Sequence, residues 1–160
     1  MHSYIIQVFQ TRCSPEDWAS EEIFWEHPNI LPIANTTSSV KNRAAAISCF
    51  GSWLQRKQLG TLTGETFCVN AQAAGRYFIG RFPVFQQSMS ALRQISEKQF
   101  IHEHDQVQAL IDNLCQAFTD KYDAYVMIGN DFPPLPIDGF IRKAQPNMPY
   151  YIGAVLDFSY

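Results

Sequence analysis

The sequence predicts an α+β fold in which about four mostly antiparallel strands form a sheet and helices pack on one face. Three observations predict this class. Segments rich in aromatic and β-branched residues lie near both ends of the chain and are typical of strands. Between them, apolar residues recur every three or four positions, as they do in helices. These helices come in groups, which favours an α+β layer over alternating strand–helix units.

Four segments are predicted to be strands. They cover residues 4–10, 65–69, 123–128 and 150–158. The third of them is nearly all apolar, which predicts a central strand covered on both faces. In the last one, four residues are predicted to share one face of the sheet: Ile152, Ala154, Leu156 and Phe158.

In the first half of the chain, Ser14 and Pro15 are typical of a helix start and predict a short helix to about residue 25. Prolines and a run of small polar residues predict an extended loop over 27–40. A second helix is predicted over 40–58, with Gly60 as its C-terminal cap. A turn at residues 61–64 then leads into the second strand.

Two helical segments between residues 70 and 118 carry the longest apolar stripes. The first stripe is Phe78, Phe82, Phe85, Met89 and Leu92; the second is Val107, Leu110, Ile111, Leu114 and Phe118. Both are predicted to be buried beneath the sheet, because residues at this spacing lie on one side of a helix. Pro83 favours a break at residues 80–82 and a new helix that reaches residue 96. The alternative is one continuous, kinked helix from Ala71. A turn at 96–100 and a helix over 104–120 follow.

The prolines after the third strand predict a stiff loop over residues 131–136. Asp138 is predicted to cap a short helical turn that reaches residue 141. A second proline-bounded loop then leads to the last strand. The length of 160 residues is that of one domain, so a single domain over 1–160 is expected.

Composition narrows the function classes. The net charge of −3 argues against broad electrostatic binding to nucleic acid or to an anionic membrane. Neither an apolar run of about 20 residues nor a signal peptide is evident, so no membrane association is expected. The four cysteines form no C-x-x-C pair, which indicates free thiols and a cytoplasmic location. No cofactor is predicted.

One dense group of metal-ligating residue types is present: His102, Glu103, His104 and Asp105. It could form part of a metal site with a loop carboxylate, and the candidates are Asp123, Asp131, Asp138 and Asp157. The same residues also suit helix starts and turns, and no known catalytic motif is present. A small metal-dependent enzyme is therefore the alternative hypothesis, and no metal is assigned.

Arg76, Arg81 and Arg93, with Tyr77 nearby, form a basic and aromatic helix face. Such a face could bind nucleic acid, but the acidic overall balance favours a protein partner. Tryptophans and tyrosines also exceed what a small core normally absorbs, namely Trp18, Trp25, Trp53, Tyr150, Tyr151 and Tyr160. The predicted binding residues are Arg76, Tyr77, Arg81, Arg93 and Trp25.

Several short sequence motifs in the second half of the chain are distinctive. They are Arg76-Tyr77-Phe78 with Arg81-Phe82 and Phe85, Ser96-Glu97-Lys98-Gln99-Phe100, and Pro149-Tyr150-Tyr151-Ile152-Gly153 with Leu156-Asp157. Together they resemble uncharacterised small proteins of phages and conjugative elements of gut-type Gram-positive bacteria. The resemblance implies a setting in which small proteins often inhibit host defence by binding a protein. It contains no catalytic motif and implies no active site.

The favoured hypothesis is a non-enzymatic, cytoplasmic protein-binding domain. The resemblance extends it to a mobile-element inhibitor of a bacterial defence nuclease, of the anti-CRISPR or antirestriction type. A protein partner is expected, and a homo-oligomer is compatible with this hypothesis.

Overall fold

A mixed, curled sheet is the centre of the protein. The computed structural model describes residues 2–22, 36–119, 124–131 and 133–159. Within these ranges the strands are β1 (His2–Phe9), β2 (Thr36–Ser39), β3 (Gly60–Thr63), β4 (Thr66–Val69), β5 (Tyr125–Ile128), β6 (Leu135–Pro136) and β7 (Pro149–Ser159). The helices are α1 (Arg43–Arg56), α2 (Ala73–Ile79), α3 (Arg81–Arg93), α4 (Glu97–His102), α5 (His104–Phe118) and α6 (Ile137–Lys143). A 3₁₀ turn covers Pro15–Asp17.

The long strand β7 organises the sheet. It pairs antiparallel with β1 on one side, and on the other side with β4 near its start and β2 near its end. Next to β1 lies β5, in parallel, and the main strand order is β3-β4-β7-β1-β5-β6. The α+β class is thus confirmed, whereas the expected count of about four strands is too low. The described sheet has seven strands and includes one parallel pairing.

The three additional strands lie where loops or turns were predicted. β2 consists of two threonines and two serines, and β6 is two residues long and ends in proline. β3 falls on the segment predicted as a turn. None of the three has an apolar run. Each is short, and each pairs either at an edge of the sheet or with a single neighbouring strand. Their backbone hydrogen bonds come from pairing in the fold, which apolar periodicity does not report.

The main core lies between one face of the sheet and three helices, α1, α2 and α6. Its buried residues include Phe50 of α1, Phe67 of β4 and Phe140 of α6. A second, smaller cluster occupies the opposite face, where Tyr125 and Met127 of β5 point. β5 is therefore covered on both faces, as predicted. No helix among the described residues is long and apolar enough to cross a membrane.

Strand β7 contains a bulge opposite Gln7 of β1. Gly153 and Ala154 together face the single residue Gln7, because the pairing shifts between Ile6 and Val8. Ile152 consequently packs in the main core with Val155, whereas Ala154, Leu156 and Phe158 pack in the second cluster. The prediction that Ile152 shares a face with Ala154, Leu156 and Phe158 is wrong for Ile152, since a bulge reverses the alternation of side chains.

The side chain of Gln7 fills the gap that the bulge leaves. Its Oε1 accepts hydrogen bonds from the backbone N–H of Ala19 at 2.9 Å and of Ala154 at 3.1 Å. Its Nε2 donates to the carbonyl of Gly129 and to Oδ1 of Asn130, both at 3.0 Å. A buried polar side chain is tolerated here because its hydrogen-bonding groups are satisfied.

The two striped helices do not lie beneath the sheet, and that prediction is wrong. α3 and α5 pack against each other as an antiparallel pair, with α4 at the connecting tip. We call α3, α4 and α5 together the helical hairpin. The sheet face that could have received these helices is already covered by α1, α2 and α6. Each hairpin helix therefore buries only the strip that faces its partner.

That strip is narrower than the apolar stripe in the sequence. On α3 the only buried residue is the small Ser88, and on α5 the buried residues are Val107 and Ala117. Phe82 is 58% exposed and Phe118 is 57% exposed. One partner helix covers only part of a wide stripe, so the remainder stays at the surface.

Other helix boundaries agree with those predicted from the sequence, or differ from them for a local reason. The break at Gly80 and the helix that follows it are confirmed, as is the helix from residue 104. Residues 97–102 form α4 instead of a turn, because Ser96 and Gln99 cap its first turn reciprocally. The predicted helix at 14–25 is a 3₁₀ turn at its start; residues 23–25 lie outside the described ranges.

Gly60 is a strand residue and not the cap of α1. Helix α1 ends at Arg56, and the left-handed residue after it is Gln58, with a φ of 55°. A Cβ on Gly60 would clash with the backbone carbonyl oxygen of Cys68 in the paired strand β4. The glycine is needed because the strands approach closely.

We expect Gly60→Ala to lower the free energy of unfolding by about 2 kcal/mol, because a strand backbone must shift to admit the methyl group. Gly75→Ala is the matched control, since a Cβ there meets open space on a helix. It should raise stability by about 0.5–1 kcal/mol. Urea unfolding of both variants checks this, and equal effects would contradict the close approach.

Candidate protein-binding surface

Arg81 ties the helical hairpin to the rest of the protein. Its guanidinium donates to the carbonyls of Gln116 at 2.7 Å and Ala117 at 3.1 Å, at the end of α5. It also forms a 2.6 Å ion pair with Asp138, a fully buried residue at the start of α6. Arginine suits the site because its planar fork can bind a helix C-terminus and a carboxylate together.

A second arginine closes the same helix end. Arg142 of α6 donates to the carbonyl of Phe118 at 2.7 Å. Its guanidinium carbon lies 3.9 Å from the ring centre of Phe78 and 4.6 Å from that of Phe118. These stacking distances are those of cation–π contacts, which hold the rings and the cation as one unit. Arg142 itself stays exposed.

An apolar groove of about 350 Å³ opens beside these arginines. We call it the aromatic groove. It is lined by Phe78, Phe82, Phe85, Phe118, Ala117, Arg81 and Arg142. Phe85 and Phe118 approach across the hairpin with ring centres 6.1 Å apart. Four phenylalanines and the exposed cation of Arg142 surround one opening, and no carboxylate is among its described lining residues. This surface suits an apolar segment that carries negative charge.

The apolar surface continues from the aromatic groove along the hairpin. Met89 lies seven residues after Phe82 on α3, and Ile111 lies seven before Phe118 on α5. Residues seven apart share one side of a helix, and all four are exposed. We call Phe82, Met89, Ile111 and Phe118 the hairpin stripe. An exposed apolar strip of this kind is typical of an interaction surface.

The structure brings together three of the predicted binding residues. Arg76, Tyr77 and Arg81 line a depression of about 450 Å³ together with Lys57. Tyr77 packs edge-on against Phe78, with ring centres 5.0 Å apart, and is only partly exposed. Arg81 serves the internal contacts described above, so of the three residues Arg76 is the one whose side chain is exposed.

The other predicted binding residues lie elsewhere. Arg93 is exposed at the far end of α3, about 18 Å along the helix from Arg81. Trp25 lies outside the described residues, as does Tyr160. Trp18 is partly buried beneath the guanidinium of Arg43, which lies 4.3 Å from the indole ring centre. Packing thus accounts for this tryptophan.

The remaining surplus aromatic residues with described side chains also have packing roles. Trp53 stacks on Phe50 with ring centres 6.1 Å apart, and Tyr150 is fully buried. Tyr151 is partly buried beside Arg12, whose guanidinium carbon lies 6.0 Å from the ring centre. Among the aromatic residues with described side chains, those left at the surface are therefore phenylalanines of the helical hairpin.

The histidine cluster lies at the hairpin tip. His102, His104 and Asp105 are exposed, and His104 Nδ1 lies 3.6 Å from Asp105 Oδ1. Among the candidate carboxylates, Asp138 pairs with Arg81, Asp131 is exposed, and Asp123 lies outside the described ranges. Over the described part of the chain, no three His, Cys, Asp or Glu residues group as metal ligands would.

Sequence reasoning missed Phe82, Phe118 and Arg142 as surface residues. Both phenylalanines belong to stripes that were predicted to be buried, and Arg142 was not singled out. One signal was available: each stripe contains more large side chains than a single facing helix covers. The contact of Arg142 with Phe118 joins residues 24 apart in the chain, and no local pattern reports it.

No protein-family model, no curated protein and no solved structure matches the chain significantly.

Proposed function

We propose that this protein is a non-enzymatic protein-binding domain and that the aromatic groove with the hairpin stripe is its binding surface. One observation carries the proposal. The exposed large apolar side chains that the structure records all lie on the helical hairpin and the helix that enters it, from Ile79 to Phe118. Soluble domains rarely expose apolar side chains in such a concentration without a partner.

The chemistry of the groove defines the partner. Phenylalanine rings offer apolar area that an aliphatic or aromatic side chain can cover, and Arg142 offers an exposed cation at the rim. Arginine and aromatic residues dominate binding energy at protein interfaces. The proposed ligand is therefore an apolar protein segment that carries carboxylates.

The resemblance to proteins of mobile genetic elements supplies the biological setting of this proposal. We propose that the bound protein is a bacterial defence nuclease, that binding inhibits it, and that the encounter occurs in the cytoplasm. A small domain without catalytic machinery can inhibit an enzyme stoichiometrically by covering a working surface.

A groove variant tests the binding surface. We expect Phe82→Asp to weaken binding to the captured target by about 30-fold, because a charge replaces a central apolar contact. Gln87→Asp is the matched control: it adds the same charge at an exposed site on another side of α3. Tagged proteins would be used to capture partners from a Gram-positive lysate and to protect plasmids in CRISPR and restriction interference assays. Equal capture by both variants would contradict the proposal.

Nucleic-acid binding is the second candidate, and the depression beside Arg76 favours it. Lys57, Arg76 and Arg81 line this depression, and its described lining contains no carboxylate. If the site binds a phosphate backbone, affinity for a labelled single strand should fall steeply with salt, and Arg76→Ala should flatten that slope. A salt-independent or absent signal removes this candidate and leaves the protein-binding proposal intact.

A further inference from the structure

The tip of the helical hairpin carries its own exposed apolar pair. Phe100 is 70% exposed and Ile101 is 59% exposed, both on the short helix α4. We call Phe100 and Ile101 the tip pair. Such exposure is unusual for two adjacent large apolar residues on a capped helix. Within the part of the chain that the structure describes, nothing covers the tip pair, so a second molecule can bury it.

The surroundings of the tip pair are acidic. Residues 93–105 contain three carboxylates, those of Glu97, Glu103 and Asp105, against two cations, Arg93 and Lys98. The aromatic groove has the opposite character: among the described residues of its lining, Arg142 is an exposed cation, Arg81 is paired internally with Asp138, and no carboxylate is present. One end of the hairpin is thus apolar and acidic, and the other end is apolar and basic. The two ends complement each other in charge and in polarity.

We propose that a second copy of this chain binds the aromatic groove, with the tip pair of each protomer in the groove of the other. This inference rests on the proposed function, because it names one partner of the same surface. The two ends belong to antiparallel helices of 13 and 15 residues, so they lie about 20 Å apart. Two hairpins related by a two-fold axis and laid antiparallel bring both tips to both grooves at once.

The hairpin stripe fits this arrangement. Met89 and Ile111 lie between the tip and the groove on the exposed side, so they would meet their own copies near the two-fold axis. A reciprocal contact of this kind closes at two copies, whereas a one-way contact would propagate into a filament. The geometry therefore points to a dimer and not to a chain.

The area of the proposed interface determines how stable the dimer is expected to be. Two helices side by side present a face of about 20 by 20 Å, or roughly 400 Å² in projection per copy, before the tips are added. A standard interface buries about 800 Å² per partner. The dimer should therefore be weak and should dissociate on dilution. Target binding and dimer formation then compete for one groove, so self-association limits access to it.

Sedimentation equilibrium over about a hundredfold range of protein concentration tests the dimer. Wild type should shift from one chain mass to two. The double variant Phe100→Asp/Ile101→Asp should stay a monomer, as should the groove variant Phe82→Asp, and Gln87→Asp should behave as wild type. All substitutions are at exposed positions, and circular dichroism verifies the fold.

A mixture of the tip variant and the groove variant gives the sharper readout. In a mixed dimer, the intact tip of one chain meets the intact groove of the other, so part of the association should return. Non-specific stickiness would show no such complementation. A wild type that remains monomeric at every concentration, or a mixture that does not associate, overturns the reciprocal dimer.

Target capture distinguishes a failure of the dimer proposal from a failure of the proposed function. The tip variant should capture the target as well as wild type or better, since its groove is never occupied by a second copy. If wild type is monomeric and still captures a target through Phe82, only the dimer is wrong. If Phe82→Asp affects neither association nor capture, both proposals are wrong.

Discussion

Replacing Arg81 with methionine is expected to lower the free energy of unfolding by about 4 kcal/mol. The substitution leaves the fully buried Asp138 without its 2.6 Å ion-pair partner and removes two hydrogen bonds to the end of α5. Removal of one partner of a buried ion pair typically costs about 3–5 kcal/mol, because a charge then stays in a poorly solvated site. Urea unfolding followed by circular dichroism measures the change.

Two further variants make the interpretation specific. Arg93→Met changes the same residue type on the same helix at an exposed position and should alter stability by less than about 0.5 kcal/mol. The double variant Arg81→Met/Asp138→Leu should be more stable than Arg81→Met alone, since it removes the buried charge as well. If the double variant instead loses the sum of both single effects, the ion pair is not the cause.

Gln7→Leu is expected to lower the free energy of unfolding by a similar amount, about 4 kcal/mol. Leucine matches the size of glutamine but accepts no hydrogen bond from Ala19 or Ala154, whose buried N–H groups depend on Oε1. Each buried group left unsatisfied costs about 1–3 kcal/mol. Loss of the bonds to Gly129 and Asn130 adds to this cost.

The same unfolding measurement applies to Gln10→Leu as a control. Gln10 is exposed and directly follows β1, so its replacement should change stability little. Amide hydrogen exchange provides a local readout, because Ala19 and Ala154 should lose protection first in Gln7→Leu. A Gln7→Leu variant as stable as wild type would show that the bulge tolerates an apolar residue.

Much of the fold was readable from local patterns. The strands β1, β4, β5 and β7 coincide with segments rich in apolar, aromatic or β-branched residues. The helix break before α3 followed from Pro83, whose ring is tolerated only in a first turn. The α+β class follows from the order of these elements, and local chemistry is sufficient to specify them.

Only part of the candidate surface could be predicted from the sequence. Arg81 was predicted to be a binding residue, and its main contacts are internal, with Asp138 lying 57 positions away in the chain. The aromatic groove depends on Phe118 and Arg142 meeting at the end of α5. Such meetings join distant segments, and residue spacing within a segment does not encode them.

The sequence by itself determined the longer strands and helices and which side of each helix is apolar, whereas three short strands and α4 lie where loops or turns were predicted. Only the tertiary structure decided which apolar sides are covered. The physical reason is that periodicity describes one element, whereas burial requires a second surface of matching size. Here α1, α2 and α6 cover one face of the sheet, and the helical hairpin is left with its own narrow seam and an exposed stripe.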